Sequence, residues 1–464
     1  MKYFYLMIFI LYINSCESVF NPYRKVQTLP PIGDPGTPLI LTPFIESGNI
    51  TLAQNLSRVK ELKYHDISYS GFLTVDKQYD SNMFFWFFPA INNDTSAPVI
   101  LWLQGGPGAT SLFGLFEEHG PIRITTNGNL KRRKYTWASN HAMLYIDNPV
   151  GTGFSFTTKD DGYSKNEVDV GKNLYIALIQ FFQLFPQYQK NDFFVTGESY
   201  AGKYVPAVSY TIHNNNPTAK LKINLKGLAM GNAFCDPEHM ITGYGDYLYQ
   251  LGLIDTKGRD TFHAEENKGV EFIKEKKWSE AFKTFDSLLD GDLIKYPSTF
   301  YNLTGFKFYF NFLHNTEYSN SGSLDNFFQK EEVRKAIHVG NATFNGGTKV
   351  EEFLMEDVMQ SVKPWVETLL ENYRVLIYNG QLDIIVAYPF TVNFLNALNW
   401  SGSNEYKTAL RNKWHVHYEL AGYSKTVKNF TEVLVRNAGH MVPFDQPLWA
   451  LDLITRFTSN KKFD

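Results

Sequence analysis

Cysteine is nearly absent from this chain: Cys16 and Cys235 are the two present in 464 residues. A disulfide-stapled scaffold is therefore excluded. A chain of this length buries enough core to fold without one. Long apolar runs are missing as well. Tyr3–Ile13 is too short for the ~20 residues that a bilayer span requires, and no later stretch is long and apolar enough, so no membrane span is expected. There is no basic stripe and no long charge run. Lys and Arg number 44 against 47 Asp and Glu, for a net charge of −3, which argues against nucleic acid as a partner. The short cluster Lys131, Arg132, Arg133, Lys134 is isolated and reads as a solvated loop. Internal repeats and low-complexity blocks are also lacking.

What is present begins at the N-terminus. Met1-Lys2 leads into the apolar stretch Tyr3–Ile13, which Asn14, Ser15, Cys16 and Glu17 end. This is the pattern of a secretory leader cleaved near residues 15–18. The expected division is a signal peptide over 1–18 and a single domain over 19–464. Cys16 would leave with the leader, and Cys235 then reads as a buried small hydrophobe. Seven Asn-x-Ser/Thr sequons follow, at Asn49, Asn55, Asn93, Asn302, Asn341, Asn399 and Asn429. With the leader, they favour the secretory pathway and surface positions for these asparagines, which suits a secreted or a lysosomal (vacuolar) protein. Residues 19–40 are rich in Pro and Gly and read as an extended arm. Aromatic residues make up 16%, with 38 Phe and 28 Tyr, enough for an aromatic-lined cleft as well as a Phe-rich core.

Ile67 to Val75 and Met83 to Pro89 look like paired strands. Short apolar runs follow at Val99–Leu103, Ala142–Ile146, Phe193–Thr196, Leu225–Met230, Arg374–Tyr378 and Val433–Val435. Runs of this length suit strands buried on both faces of a parallel sheet. Helical patterns lie between them: Leu174, Leu178, Phe181 and Phe185 share one helix face, as do Leu448, Leu451 and Ile454. Alternating strands and helices predict an open α/β sheet. Between about 235 and 350 the alternation stops. That segment, with helical stretches such as Gly269–Asp290, reads as a helical insertion capping the site, with a separate binding domain as the other reading.

The sharpest local signal is Phe193-Phe194-Val195-Thr196-Gly197-Glu198-Ser199-Tyr200-Ala201-Gly202. An apolar strand runs into a serine flanked by small residues and then into a helix, the layout of a nucleophile elbow. Ala201 stands where the strict pattern has its second glycine. A serine hydroxyl needs an adjacent base. Among eleven histidines, His440 follows a strand in the turn Asn437-Ala438-Gly439-His440, at the edge where parallel sheets put catalytic groups. The acid should precede it in the chain, just after another strand. Asp383, behind Arg374–Tyr378, fits, and it would hold the imidazole tautomer. Asp147 is the rival, but it lies ahead of the serine in the chain. For an oxyanion, the backbone N–H groups of Gly106, in Gly105-Gly106-Pro107-Gly108, and of Tyr200 are the natural donors.

Three motifs together, Trp102-Leu103-Gln104-Gly105-Gly106-Pro107-Gly108, Gly197–Gly202 and Gly439-His440-Met441-Val442-Pro443-Phe444-Asp445-Gln446-Pro447, resemble the serine carboxypeptidase family. Pro38–Pro43 and Tyr378–Val386 resemble its vitellogenic-carboxypeptidase-like branch. The likeness runs from about residue 35 to the C-terminus and is weakest across 255–325. It implies an α/β-hydrolase fold and release of single residues from the C-termini of peptides or proteins, usually at acidic pH, by Ser199, His440 and Asp383. No metal or organic cofactor is implied, and a homodimer is compatible. The family binds the substrate's terminal carboxylate with a Glu beside the serine, here Glu198, a second Glu, here Glu118, and an Asn. Gln104 stands at the Asn position, and its added methylene is expected to move the amide outward. Two carboxyls close together cannot both ionise cheaply, so at least one should hold a proton and activity should fall above neutrality. An acyltransferase using the same triad, or a non-catalytic carrier, are the other readings.

Overall fold

The computed structural model describes residues 33–60, 62, 67–289, 297–316 and 323–463. The expected leader, Cys16 and most of the expected arm lie outside the described residues. The described end of the arm runs extended along the sheet edge, where Leu41 N–H donates to Phe72 O at 2.9 Å.

Ten strands form the main sheet among the described residues. They are β1 Tyr69–Asp76, β2 Ser81–Phe88, β3 Val99–Leu103, β4 Ala142–Ile146, β5 Phe193–Glu198, β6 Leu225–Gly231, β7 Arg374–Gly380, β8 Asn412–Val416, β9 Glu419–Val427 and β10 Phe430–Val435. Their spatial order is β1-β2-β4-β3-β5-β6-β7-β10-β9-β8. The six central strands, β4 to β10 in that order, pair in parallel, and the two at each edge pair antiparallel.

The central strands read as continuous apolar runs because both faces are covered. In β3, Val99, Leu101 and Leu103 enter one core cluster while Ile100 and Trp102 enter the other. Helices Glu167–Leu184 and Ala201–Asn215 fill the first face with Leu174, Leu178, Phe181, Val205 and Val208. Helix Pro447–Thr458 covers the second with Leu453, Ile454 and Phe457.

Several expectations shift. The C-terminal helix buries Trp449, Ala450 and Leu453, while Leu448 and Leu451 are half-buried, so its inner face is rotated by about one residue. The expected helix Gly269–Asp290 is two helices, Thr256–Lys274 and Trp278–Leu289, parted near Lys276 at φ +57°. The edge hairpin β8–β9 was not foreseen. Its exposed Lys413 and His415 alternate with buried Trp414 and Val416, a period of two too short to stand out. In the basic cluster, Lys131, Arg132 and Lys134 are exposed but Arg133 is half-buried. Its guanidinium donates inward to Gly120 O and Phe116 O and braces the turn beneath them.

Between β6 and β7 the described chain is largely helical, including Tyr244–Gln250 and Thr348–Val358. All seven sequon asparagines are exposed.

Candidate active site

Each proposed catalytic side chain sits at the carboxyl end of a parallel strand. β5 ends at Glu198, and Ser199 turns sharply at φ +62°. A left-handed serine costs about 1–3 kcal/mol, so the surroundings must hold it there. Ser199 N–H donates to Gly231 O at 3.0 Å, and Ser199 O accepts from Gly202 N–H at 2.9 Å and Phe234 N–H at 3.0 Å. A Cβ on Gly197 would stand 2.5 Å from Leu103 O, and one on Gly202 would stand 2.7 Å from Phe234 N. The turn therefore needs glycine at 197 and 202, and Ala201 fits.

Behind β10, His440 is buried and its Nδ1 pairs with Asp383 Oδ2 at 2.8 Å. The opposite ring nitrogen, Nε2, is buried with no hydrogen-bond partner among the described residues. It is the atom a base would use, and Ser199 Oγ does not engage it in this state. Asp383, behind β7, is also fully buried and is held by four contacts. Asn232 Nδ2 donates at 2.7 Å and Val386 N–H at 3.2 Å to Oδ2, which also takes the His440 contact, while Ile385 N–H donates at 3.1 Å to Oδ1. Such an acceptor fixes the imidazole with Nδ1 protonated. Ser199 reaches this pair through one short path: its N–H bonds Gly231, the next residue is Asn232, and Asn232 holds Asp383.

Asp147, the rival acid, has a different task. It accepts from Thr110 Oγ1 at 2.5 Å, Ser111 N–H at 3.1 Å and Phe154 N–H at 2.9 Å. Burial pushes its carboxyl up to about 7. It pins the Gly-rich loop rather than the histidine. That loop lies directly against the serine: a Cβ on Gly105 would stand 2.6 Å from Tyr200 N and 2.7 Å from Ser199 Cβ. Gly106 sits at φ +111°, where a Cβ would strike Ala109 N. The two proposed oxyanion donors thus belong to segments in van der Waals contact.

The three proposed carboxylate ligands also converge. Gln104 Nε2 donates to Glu198 Oε1 at 2.7 Å and to Glu118 Oε1 at 3.1 Å, and all three residues are fully buried. Trp102 Nε1 donates to Gln104 Oε1 at 2.8 Å, which sets the amide's orientation. The amide expected to move outward lies buried between the two acids. The indole anchors the carbonyl end, and the two acids take the NH2 end. Glu118 and Glu198 accept from the same Gln104 amide, so the two carboxyls lie close together and cannot both ionise cheaply. Burial, only partly offset by these hydrogen bonds and by Arg133, pushes the Glu118 carboxyl up to about 8. Glu118 arrives on a π-helix, Gly114–Glu118, a rare form that clusters at functional sites. Gly114 is needed there, since its Cβ would stand 2.2 Å from Trp102 Nε1.

Sequence reasoning missed the residues that hold the acid and base loops. Asn232 follows β6 directly, and a polar residue at that edge was a usable signal. The helix Tyr244–Gln250 sends Tyr244 Oη to Ile385 O at 2.6 Å and Tyr247 Oη to Asp383 O at 2.9 Å. A strap at Tyr309–Phe312 ties both loops. Tyr309 O accepts from Ile384 and Ile385 N–H, each at 3.1 Å, and Phe310 O accepts from His440 N–H at 2.6 Å. No periodicity marks these positions.

Comparisons with known proteins bear on this geometry. The family model described as serine carboxypeptidase matches residues 60–460. The venom serine carboxypeptidase of Apis mellifera is 57% identical over 100% of both chains. The vitellogenic carboxypeptidase of Aedes aegypti is 49% identical, covering 98% of this chain and 97% of its own. A crystal structure of a prohormone-processing carboxypeptidase from Saccharomyces cerevisiae matches with a TM-score of 0.74 at 24% identity, over 88% of this chain and 96% of that one. It shares the α/β-hydrolase fold described above. With this strand order, and with the matched region spanning the elbow, the acid loop and the histidine turn, the chain belongs to the serine carboxypeptidase family.

Proposed function

We propose that this chain is a serine-type carboxypeptidase that releases C-terminal amino acids from peptides or proteins. Ser199 is the nucleophile, His440 the base and Asp383 its orienting acid. Attack of Ser199 Oγ on the last peptide carbonyl passes its proton to His440 Nε2. The amides of Gly106 and Tyr200 receive the oxyanion. The C–N bond breaks as His440 returns that proton to the departing amine. Water then attacks the acyl-enzyme, gives a proton to His440, and frees the shortened peptide and Ser199.

One observation carries the preference for a free C-terminus. Glu198, the neighbour of the nucleophile, shares a buried hydrogen-bonded cluster with Gln104 and Glu118. A protonated carboxyl there can donate to a substrate carboxylate, whereas two ionised ones would repel it. Activity accordingly falls above neutrality. The segment of about 235–350 acts as the cap, and the exposed sequons support passage through the secretory pathway. The test is turnover of a blocked dipeptide with a free C-terminus, with serine-reactive phosphonate labelling in parallel. Ser199→Ala should lose both and stay folded. Retained turnover in that variant rejects the assignment.

A further inference from the structure

Behind the Gln104 cluster lies a histidine that the proposed mechanism does not use. His119 follows Glu118 directly and closes the π-helix Gly114–Glu118, where its N–H donates to Gly114 O at 3.0 Å. Its carbonyl accepts from Trp137 N–H at 3.0 Å and Thr136 Oγ1 at 2.8 Å. The residue is buried in a cage of aromatic rings. Its imidazole stacks on Trp137, with centroids 4.1 Å and planes 18° apart, and Tyr145 lies nearly parallel to it at 5.8 Å. The Trp102 indole meets it edge to face, at 4.3 Å and 72°. The sheet dictates this cage. Trp102 on β3 and Tyr145 on β4 are register partners, so their side chains leave the same face side by side.

Hydrogen bonding accounts for little of this side chain's hold. Nδ1 lies 3.3 Å from Tyr145 Oη, and Nε2 is buried with no hydrogen-bond partner among the described residues. Burial, reinforced by the Arg133 charge, holds the imidazole well below its ordinary range. The ring is an uncharged aromatic plate, and packing is what its surroundings use. The indole it touches is the one that orients the carboxylate cluster. Trp102 Nε1 donates to Gln104 Oε1 at 2.8 Å, and Gln104 Nε2 donates to Glu198 at 2.7 Å and Glu118 at 3.1 Å. Gly114 closes on the indole at Nε1, and Trp137 meets it at right angles, 5.4 Å away. His119 is thus joined to the cluster twice: through the backbone to Glu118, and through its ring to Trp102.

We propose that His119 is a positioning residue for carboxylate recognition: its ring holds the Trp102 indole in the orientation that turns Gln104 toward both acids. Its effect is confined to substrates that carry a free C-terminus. The assignment rests on the carboxypeptidase reading, with the Gln104 cluster as the carboxylate receptor.

The test uses the full chain, a blocked dipeptide and the matching dipeptide amide, which presents no carboxylate. Affinity for the amide is read as KM or as competitive inhibition. His119→Ala leaves a space beside the indole. It should raise KM for the free acid about tenfold, the size of one lost hydrogen bond, with kcat little changed and the amide bound as by the wild type. His119→Phe keeps a ring against Trp102 and gives up no hydrogen bond at Nε2, so it should restore most of that affinity. Trp102→Phe keeps an aromatic ring but removes the donor to Gln104, and should show the same selective loss. Combined with His119→Ala it should add little, because both act through one indole. Equal losses for acid and amide in His119→Ala, or no loss, overturn the assignment. If His119→Ala fails to fold, an unchanged acid-to-amide preference in Trp102→Phe overturns it instead. Absence of any wild-type turnover would reject the hydrolase reading, a distinguishable result.

Discussion

Replacing Glu118 by Gln separates substrate binding from the rest of the pH response. Glu118 holds its proton to about pH 8 because burial outweighs the hydrogen bond from Gln104 and the nearby Arg133 charge. A substrate carboxylate entering this cluster meets a donor below that pH and a second negative charge above it. For a single required proton, affinity falls about tenfold per pH unit beyond the pKa. KM for a dipeptide should therefore be level from about pH 6 to pH 7.5 and stand about tenfold higher at pH 9. The Gln side chain keeps an NH2 donor at every pH, so KM of Glu118→Gln should stay flat over the same range. Stability gives an independent reading. In the unfolded chain Glu118 loses its proton near 4.5, and in the folded chain near 8. Its contribution is whole below the lower value and declines as pH rises through the upper one. Glu118→Gln should therefore gain in thermal midpoint over the wild type at pH 8 relative to pH 5. If KM of the variant rose with pH as steeply as that of the wild type, the proton would reside elsewhere and this account of carboxylate binding would be wrong.

Two further substitutions probe the supports. Asn232→Ala removes the 2.7 Å donor to Asp383 Oδ2; loss of such an orienting partner should lower kcat about 10- to 100-fold with KM little changed, and an unchanged kcat would show that the backbone donors of the acid loop suffice. Gly105→Ala places a Cβ within 2.7 Å of Tyr200 N and Ser199 Cβ; because one contact is backbone, kcat should fall at least about 100-fold while near-ultraviolet circular dichroism reports a folded core, and wild-type turnover would mean the loop does not face the oxyanion.

What the sequence made legible was what short local segments encode. The elbow could be read because an apolar strand, small residues and a helix occupy ten consecutive positions. Asp383 and His440 could be read because each follows a buried strand, whose edge on a parallel sheet is fixed by topology. Burial was less accessible. Glu118 reads locally as a surface charge, yet the π-helix turns it fully inward, a result of Gly114 allowing the Trp102 indole to approach. The orientation of Gln104 depends on that same indole, which no spacing rule supplies. Arg133 was misread because its acceptors are carbonyls of a turn distant in sequence. β8, at the sheet edge, and β9 beside it escaped because strands near an edge keep one face in water and carry charge there.

The segment between β6 and β7 belongs to the site in a stronger sense than a lid would. A loop behind a parallel strand leaves backbone groups that need partners when buried. In the acid loop, the carbonyls of Asp383 and Ile385 take Tyr247 and Tyr244, and the amides of Ile384 and Ile385 take Tyr309 O. The His440 amide takes Phe310 O. Leaving such groups unmet costs about 1–3 kcal/mol each, comparable in sum to the stability of a whole domain. The Asp383–His440 geometry therefore depends on the helical segment being docked. The sheet supplies the positions of the proposed catalytic side chains, and the segment outside it supplies the hydrogen bonds that let two of them stay there.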